Sequence, residues 1–464
     1  MLTSRYSKPE FNPYGNDDPD DATENGPWHA PRSAGPLSAH VSLPGSKSLT
    51  NRELVLSAVA SGPSRLRAPL HSRDTALMVQ ALKALGVGIE ETPGTGEYGP
   101  DLVITPGELS GGASIDCGLA GTVMRFVPPL AALALGPVAF DGDPHARKRP
   151  MRTTIDSLRR LGVSVSDDGR GTLPFSLYGT GRVAGGTIEV DASASSQFVS
   201  ALLLVGARFD NGLELRHTGD KLPSLPHIDM TIATLAGRGV RVENPSPGVW
   251  IVPPSPVAGL GVTLEPDLSN AAPFLAAALV ASGSVTVQNW PDGTSQVGAE
   301  LERLLPLFGG VVTRSDGNLT VEGSGTIHGV ELDLSFGGEL VPALVALAAL
   351  ADGPSRFTGI GHLRGHETDR LDALATEVNA LGGKVTVLED GLAIDPQPLH
   401  GGLWRSYEDH RMATTGAIIG LAVDGVAIDD IGTTAKTLPE FPELWQQMIR
   451  PSAKPVDPLN LGLM

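Results

Sequence analysis

Six times along this chain, a short loop of small or polar residues runs into a long apolar helix pattern. The loops are marked by Ser48, Thr122, Ser196, Asn270, Glu339 and His410, spaced 74, 74, 74, 69 and 71 residues apart. A fixed period of this kind means repeated copies of one supersecondary unit. It also points to where function resides. Helix N-termini carry unpaired backbone N–H groups and the positive end of the helix dipole. Six of them facing one place would form a trap for anions.

A second landmark keeps the same period. Gly62, Gly136, Gly212, Gly283, Gly353 and Gly425 follow the apolar helices and are expected to terminate them. A short strand pattern comes next, as in Arg65-Leu66-Arg67 and Val138-Ala139-Phe140. An amphipathic helix follows; in the first unit Leu77, Ala81, Leu82 and Leu85 share one face. Such helices end in Leu85-Gly86-Val87, Leu161-Gly162-Val163, Phe308-Gly309-Gly310 and Leu381-Gly382-Gly383. The first helices (198–206, 274–282, 340–351) are apolar almost all round and must be buried on every side. Three units closing around such helices give a globule, so the chain predicts two similar α/β domains. A continuous solenoid would leave the apolar helices uncovered.

Length agrees, because 464 residues exceed one ordinary core. The net charge of −18 argues against nucleic-acid and anionic-membrane surfaces, and an anionic substrate would need locally concentrated cations. One cysteine, Cys117, excludes an intrachain disulfide and fits a reducing, cytoplasmic setting. No apolar run approaches the roughly 18 residues of a membrane span. Residues 1–35, with Asp17-Asp18-Pro19-Asp20-Asp21, read as a disordered acidic tail without a signal peptide. Residues 451–464, with three prolines, read as a loose C-terminal tail.

The loops supply the missing cations. Unit one opens with Pro44-Gly45-Ser46-Lys47-Ser48-Leu49-Thr50-Asn51-Arg52, which combines glycine, hydroxyls and charge but lacks the spaced glycines of a Walker A motif. Unit two has Gly118-Leu119-Ala120-Gly121-Thr122-Val123-Met124-Arg125 and then Arg147-Lys148-Arg149. Unit three has Ser193-Ala194-Ser195-Ser196-Gln197 and then the 221–224 loop from Lys221 to Ser224. Unit five has Glu339, then Arg364-Gly365-His366-Glu367-Thr368-Asp369-Arg370; unit six has Asp409-His410-Arg411, then Thr434-Ala435-Lys436-Thr437. Basic residues recurring at matching helix starts in an acidic chain indicate an anion site. Unit four, with Asp267 and Asn270 and no basic loop residue, reads as scaffold.

In this order, from about Pro44 to Trp445, these loops resemble the EPSP synthase family, which transfers an enolpyruvyl group. The resemblance implies two domains, each an inside-out α/β barrel of three βαβαββ-type repeats, with the active site in the cleft between them. The corresponding domains would be residues 44–265, and 36–43 with 266–450. Implied substrates are shikimate 3-phosphate and phosphoenolpyruvate, with glyphosate as inhibitor and no cofactor or metal. A monomer is expected, without nucleic-acid or membrane partners.

Carried over motif by motif, Lys47, Ser48, Arg52, Ser195, Ser196, Ser224, Glu339, His362 and His366 would bind shikimate 3-phosphate. Lys47, Gly121, Arg149, Gln197, Arg370, Arg411 and Lys436 would bind phosphoenolpyruvate. Lys47, Glu339 and Glu367 would be catalytic, with Glu339 as base on the shikimate hydroxyl and Glu367 as proton donor to the methylene. The chain departs from the common pattern at Leu119 (Asn in the family), Phe126 (Pro), Glu339 (Asp), His362 (Asn) and His366 (Lys). His362 and His366 stand at i, i+4, but Gly365 and the lack of further ligands disfavour a metal site. The alternative activity is enolpyruvyl transfer to UDP-N-acetylglucosamine. That sister family carries a cysteine acid where residues 143–150 here have none. An RNA 3′-phosphate cyclase would need a basic stripe that this chain lacks.

Overall fold

The computed structural model describes residues 26–94 and 96–450. Among these residues each unit holds an inner and an outer helix. Units one to three carry α1 (Lys47–Ala58), α2 (Arg73–Ala84), α3 (Gly121–Ala131), α4 (Arg152–Arg160), α5 (Gln197–Gly206) and α6 (Leu225–Gly237). Units four to six carry α7 (Leu268–Ala281), α8 (Leu301–Leu304), α9 (Val341–Ala349), α10 (Arg370–Ala380), α11 (His410–Gly420) and α12 (Phe441–Ile449). The odd-numbered helices are inner; α3 and α9 are buried along their whole length. The even-numbered helices bury one side, as α2 does with Met78, Ala81 and Leu82.

Outer helices stop where the sequence supplies a left-handed residue. Gly86, Gly162, Gly309 and Gly382 have φ of 95°, 86°, 97° and 93°. The N–H beyond each reaches back into the last turn, as Val87 N does to Leu82 O at 3.1 Å. The period glycines expected to terminate the inner helices lie elsewhere: Gly62 falls beyond α1, and Gly283 opens a strand. Their task is to start the strand rather than to end the helix.

Every unit contributes a sheet. In unit two, Ala113–Asp116 runs parallel to Leu135–Asp141, and Phe175–Thr180 pairs antiparallel on the other side. That register sets Val138 beside Leu177 and Phe140 beside Phe175, all buried, with the two rings stacked at 5.0 Å. The sixth sheet is completed by Trp28–His29, paired with Val426–Ile428. The expected tail over residues 1–35 is therefore corrected in part: Trp28 lies against the second core and orders its own strand. Residues 1–25 and the expected tail 451–464 lie outside the described residues.

Two hydrophobic cores result. One gathers buried residues from Leu54 to Leu264; the other gathers Leu37, Val41 and Leu43 with residues from Leu268 to Met448. We take them as the two domains, residues 44–265, and 36–43 with 266–450. Their first strands are exchanged. Leu37–Val41 precedes α1 yet pairs parallel with Gly283–Val287, while Gly261–Thr263 precedes α7 yet pairs with Ser64–Arg67. The chain therefore crosses between domains twice, and the crossings lie side by side. Ser46 N donates to Glu265 O at 2.8 Å, Asp267 N to Pro44 O at 2.9 Å, and Lys47 N to Asp267 Oδ2 at 3.0 Å.

Gly45 makes this approach possible, since a Cβ there would meet Ala68 O at 2.4 Å and Leu264 Cβ at 3.2 Å. Gly45→Ala is expected to destabilise the protein by about 1–3 kcal/mol through overpacking against backbone. Denaturant unfolding of the two proteins checks this; equal midpoints would show that the crossing tolerates a side chain.

Candidate active site

All six inner-helix starts meet at one cavity between the domains. Lys47 and Ser48 (α1), Gly121 and Thr122 (α3), Ser196 and Gln197 (α5), Ser269 and Asn270 (α7), Glu339 (α9), and His410 and Arg411 (α11) line it. The starts are not alike. Ser46 caps α1, Asp267 caps α7 through the N–H groups of Ser269 and Asn270, and Asp409 caps α11. The N-cap residues of α3, α5 and α9 give no side-chain cap, but Gln197 N donates to Ser195 Oγ at 3.3 Å, Val341 N donates to Gly338 O at 3.4 Å and Pro342 has no N–H. It is therefore chiefly α3 that keeps its first N–H groups for an anion.

On the first-domain wall the cations are held close by burial. The Arg149 guanidinium donates to Leu119 O at 3.2 Å, and Arg125 donates to Gly121 O at 3.3 Å. Arg125 also lies 5.5 Å from the Phe198 ring centre. Burial, with the neighbouring Arg149 charge, lowers the Arg125 pKa to about 9. Gly121 sits between them; a Cβ there would come 3.0 Å from Arg125 Nη1 and 3.1 Å from Arg149 Nη2. Lys47 Nζ lies 3.8 Å from the buried Asp74.

The second-domain wall is a chain of ion pairs. Asp409 takes Arg370 Nε at 2.7 Å and Arg370 Nη2 at 3.2 Å. The same Nη2 reaches Glu367 Oε2 at 3.0 Å, and Lys436 Nζ donates to Glu367 Oε1 at 2.6 Å. Burial pushes the Glu367 carboxyl up, but Lys436, Arg370 and Arg149 pull harder and hold it well below the usual carboxylate range. Glu339 is fixed from three sides. Ser269 Oγ donates to its Oε1 at 2.7 Å, His227 Nε2 lies 2.6 Å from its Oε2, and Arg411 Nη1 donates to its backbone O at 2.9 Å. Its pKa is also lowered: burial opposes ionisation, and His227, Arg411 and Ser269 outweigh it.

Of the residues named from sequence, Lys47, Ser48, Gly121, Arg149, Ser195, Ser196, Gln197, Ser224, Glu339, His362, His366, Glu367, Arg370 and Arg411 share this cavity. Arg52 and Lys436 lie behind its wall. Arg52 spends Nε on Thr231 Oγ1, Nη1 on Ser48 O and Nη2 on His227 O. Lys436 is buried against Glu367. His366 Nδ1 faces Arg370 Nη1 at 3.2 Å, and burial with Arg370 lowers its pKa well below the ordinary imidazole value. The described residues contain no group of three His, Cys, Asp or Glu able to hold a metal ion.

Unit four is more than scaffold: Asp267, Ser269, Asn270 and Gln296 line the cavity, and Ser269 touches Glu339. Sequence reasoning searched its loops for cations and passed over polar residues that orient carboxylates. It also missed Arg125, hidden inside a recognised loop, and His227, which stands alone three residues after Ser224.

A family model described as EPSP synthase (3-phosphoshikimate 1-carboxyvinyltransferase) matches residues 31–445. A curated relative from Kocuria rhizophila, named 3-phosphoshikimate 1-carboxyvinyltransferase, is 58% identical over 428 residues, covering 91% of this chain and 96% of its own length. Among solved structures, an EPSP synthase from Acinetobacter baumannii matches with a TM-score of 0.72 at 23% identity, covering 90% of this chain and 97% of that one. The enolpyruvyl transferase NikO from Streptomyces tendae matches with a TM-score of 0.71 at 20% identity, covering 90% and 96%. The two structural likenesses bear on fold alone.

A cavity so built should take up inorganic phosphate. Millimolar phosphate is expected to raise the melting temperature by about 2–4 °C per kcal/mol of binding linkage. Arg149→Ala should lose most of that rise. An equal shift in wild type and variant, read by differential scanning calorimetry, would place the phosphate elsewhere.

Proposed function

This chain belongs to the EPSP synthase family, and from that premise we propose how its cleft performs the reaction. The enzyme transfers the enolpyruvyl group of phosphoenolpyruvate to the 5-hydroxyl of shikimate 3-phosphate and releases phosphate. Both substrates carry phosphate and carboxylate, which is why an acidic protein concentrates arginines and lysines in one cleft. The observation that carries the assignment of roles is the meeting of two carboxylates, Glu339 and Glu367, on a wall otherwise lined by cations and helix starts.

Shikimate 3-phosphate lies against the first domain in this reading. Ser48, Ser195, Ser196 and Ser224 present hydroxyls, and Arg52 stiffens the wall from behind through Ser48 O. His362 and His366 meet the ring from the other side. Phosphoenolpyruvate takes the free start of α3 at Gly121, with Arg149, Gln197, Arg370 and Arg411, whose planar forks suit carboxylate and phosphate. Lys436 acts through Glu367, and Lys47 stands between the substrates. Glyphosate would compete for the phosphoenolpyruvate subsite.

The chemistry is addition followed by elimination. Glu339 takes the proton of the 5-hydroxyl as its oxygen bonds to C2 of phosphoenolpyruvate. A proton passes to C3, making a methyl group and a tetrahedral phosphate ketal. C3 then gives a proton back, the C2–O bond to phosphate breaks, and the enol ether and phosphate remain. Glu367 serves C3 in both steps. Held by Lys436 and Arg370 it is an anion, so substrate anions must first draw those cations away for it to carry a proton.

Transfer to UDP-N-acetylglucosamine is disfavoured by the same cleft. Cys117 is buried away from the cavity wall, and burial raises its thiol pKa. A monomer in the cytoplasm is the setting we assign, since one chain supplies both walls of the cleft. Among the described residues no helix is long and apolar enough to cross a membrane.

Phosphate release from phosphoenolpyruvate is expected only when shikimate 3-phosphate is present, and glyphosate should inhibit competitively with phosphoenolpyruvate. Turnover with UDP-N-acetylglucosamine instead would reverse the assignment. Glu367→Gln should lower kcat by about 10²–10⁴-fold in a protein that still folds by circular dichroism, although loss of the Lys436 and Arg370 pairing lowers its melting temperature. A variant that turns over at the wild-type rate would remove Glu367 from proton transfer.

A further inference from the structure

Among the described residues, the contacts that join the domains away from the crossing include four at the cleft. Lys221 Nζ pairs with Asp390 at 3.0 Å and His145 Nδ1 with Glu408 at 3.0 Å, both exposed at the rim. Ser224 N donates to Ser335 O at 3.1 Å. The fourth, between His227 Nε2 and Glu339 Oε2 at 2.6 Å, is different in kind. Its side chains are only 17% and 18% exposed, whereas exposed pairs such as those at the rim contribute little. One of its partners is the carboxylate assigned above to the hydroxyl proton.

We infer that His227 is a positioning residue for the reaction: reaching from the first domain, its imidazole orients Glu339 of the second, so that the base is assembled by domain closure. This rests on the reading of Glu339 as base. The aim of the ring is set by its backbone. His227 follows Ser224, which starts α6 in the left-handed conformation at φ 54°, and Pro226. Three donors from three helices fix the His227 carbonyl: Arg52 Nη2 at 2.9 Å from α1, Ser200 Oγ at 3.3 Å from α5, and Thr231 Oγ1 at 3.0 Å from α6 itself. Arg52 therefore bears on the chemistry at one remove, through His227.

An ionised carboxylate only accepts, so His227 Nε2 carries the proton in this contact. Ser269 holds Oε1 and His227 holds Oε2, which leaves each oxygen a second lone pair for the substrate hydroxyl. A carboxylate gripped at both oxygens cannot rotate away, and reacting groups displaced by about 1 Å can cost on the order of 10²-fold in rate. The other charged or titratable groups facing Glu339 are Arg52 on α1, His362 in the Gly361–Gly365 turn, Arg370 on α10 and Arg411 on α11. Arg52 is lowered only to about 10 and stays charged near neutral pH, while burial favours neutral His362. All four remain when His227 is replaced, so a change in pH dependence reports the lost contact.

The test compares pH profiles of kcat and kcat/KM for wild type, His227→Phe, His227→Gln and Glu339→Gln. His227→Phe is expected to lower kcat on the order of 10²-fold. Without its partner Glu339 becomes harder to ionise, so the acid limb should move up by about 1–3 pH units. His227→Gln keeps an N–H at the same reach and should retain most of kcat and the original limb. If His227→Phe does not fold by circular dichroism, His227→Asn, too short to span the contact, takes its place. A variant that raises only the KM for shikimate 3-phosphate, with kcat and the acid limb unmoved, overturns the inference while an inactive Glu339→Gln leaves the base assignment standing. An active Glu339→Gln overturns both.

Discussion

The hydrogen-bonded crossing of two chain segments holds the rest of this architecture in place. Pro44 to Lys47 and Glu265 to Asp267 pass each other in antiparallel contact, and Asp267 accepts both from the start of α7 and from Lys47 N at the start of α1. One carboxylate thereby brings together inner helices from different cores. The strand exchange makes the arrangement hard to undo, because Leu37–Val41 belongs to the second core and Gly261–Thr263 to a sheet of the first. Either domain could shift relative to the other only by bending at this crossing, which lies beside the cavity.

From that crossing follows an asymmetry among six helix ends that a period alone makes equivalent. Carboxylates occupy two of the three second-domain ends, with Asp267 on α7 and Asp409 on α11, whereas α3 in the first domain stays open. The capping carboxylates have further partners: Asp267 takes Lys47 N and Asp409 takes Arg370. The first domain thus offers N–H groups directly, and the second offers arginines aligned by acids. A buried cation without such partners is costly, and Arg125, which donates to the Gly121 carbonyl and not to a carboxylate, has its pKa lowered by burial.

The period, the buried inner helices and the order of the loops could be read from sequence because each leaves a local pattern. Small and charged residues before a run such as 198–206 mark a helix start whatever it packs against. Partnership across the cleft leaves no such trace. His227 and Ser269 are single polar residues, 112 and 70 positions from the Glu339 they hold. Acidic residues before Trp28 make it read as part of a tail, yet its indole packs on the second core and its strand pairs with Val426–Ile428. Arg52 and Lys436 stand in motifs that match the family, and a motif says nothing about which side of a cavity wall a guanidinium or ammonium faces.

The same geometry connects binding to proton transfer. Glu367 is held by Lys436 and Arg370, Arg370 by Asp409, and Glu339 by His227 and Ser269, so the cleft's charges already satisfy one another. In the roles proposed above, substrate phosphate and carboxylate bind by taking over some of these cations. Each cation turned toward a substrate leaves Glu367 less well neutralised and raises its affinity for a proton, which is the state a donor to C3 requires. Glu339 needs the opposite: the holders of its carboxylate, His227 and Ser269, are not cations that substrates claim, and Arg411, which is, donates only to its backbone oxygen. With the proposed roles, two carboxylates in one cavity can therefore move in opposite directions when the same ligands arrive: Glu367, as acid, would gain its proton as its cations are diverted, and Glu339, as base, would remain an anion because its side-chain holders stay in place.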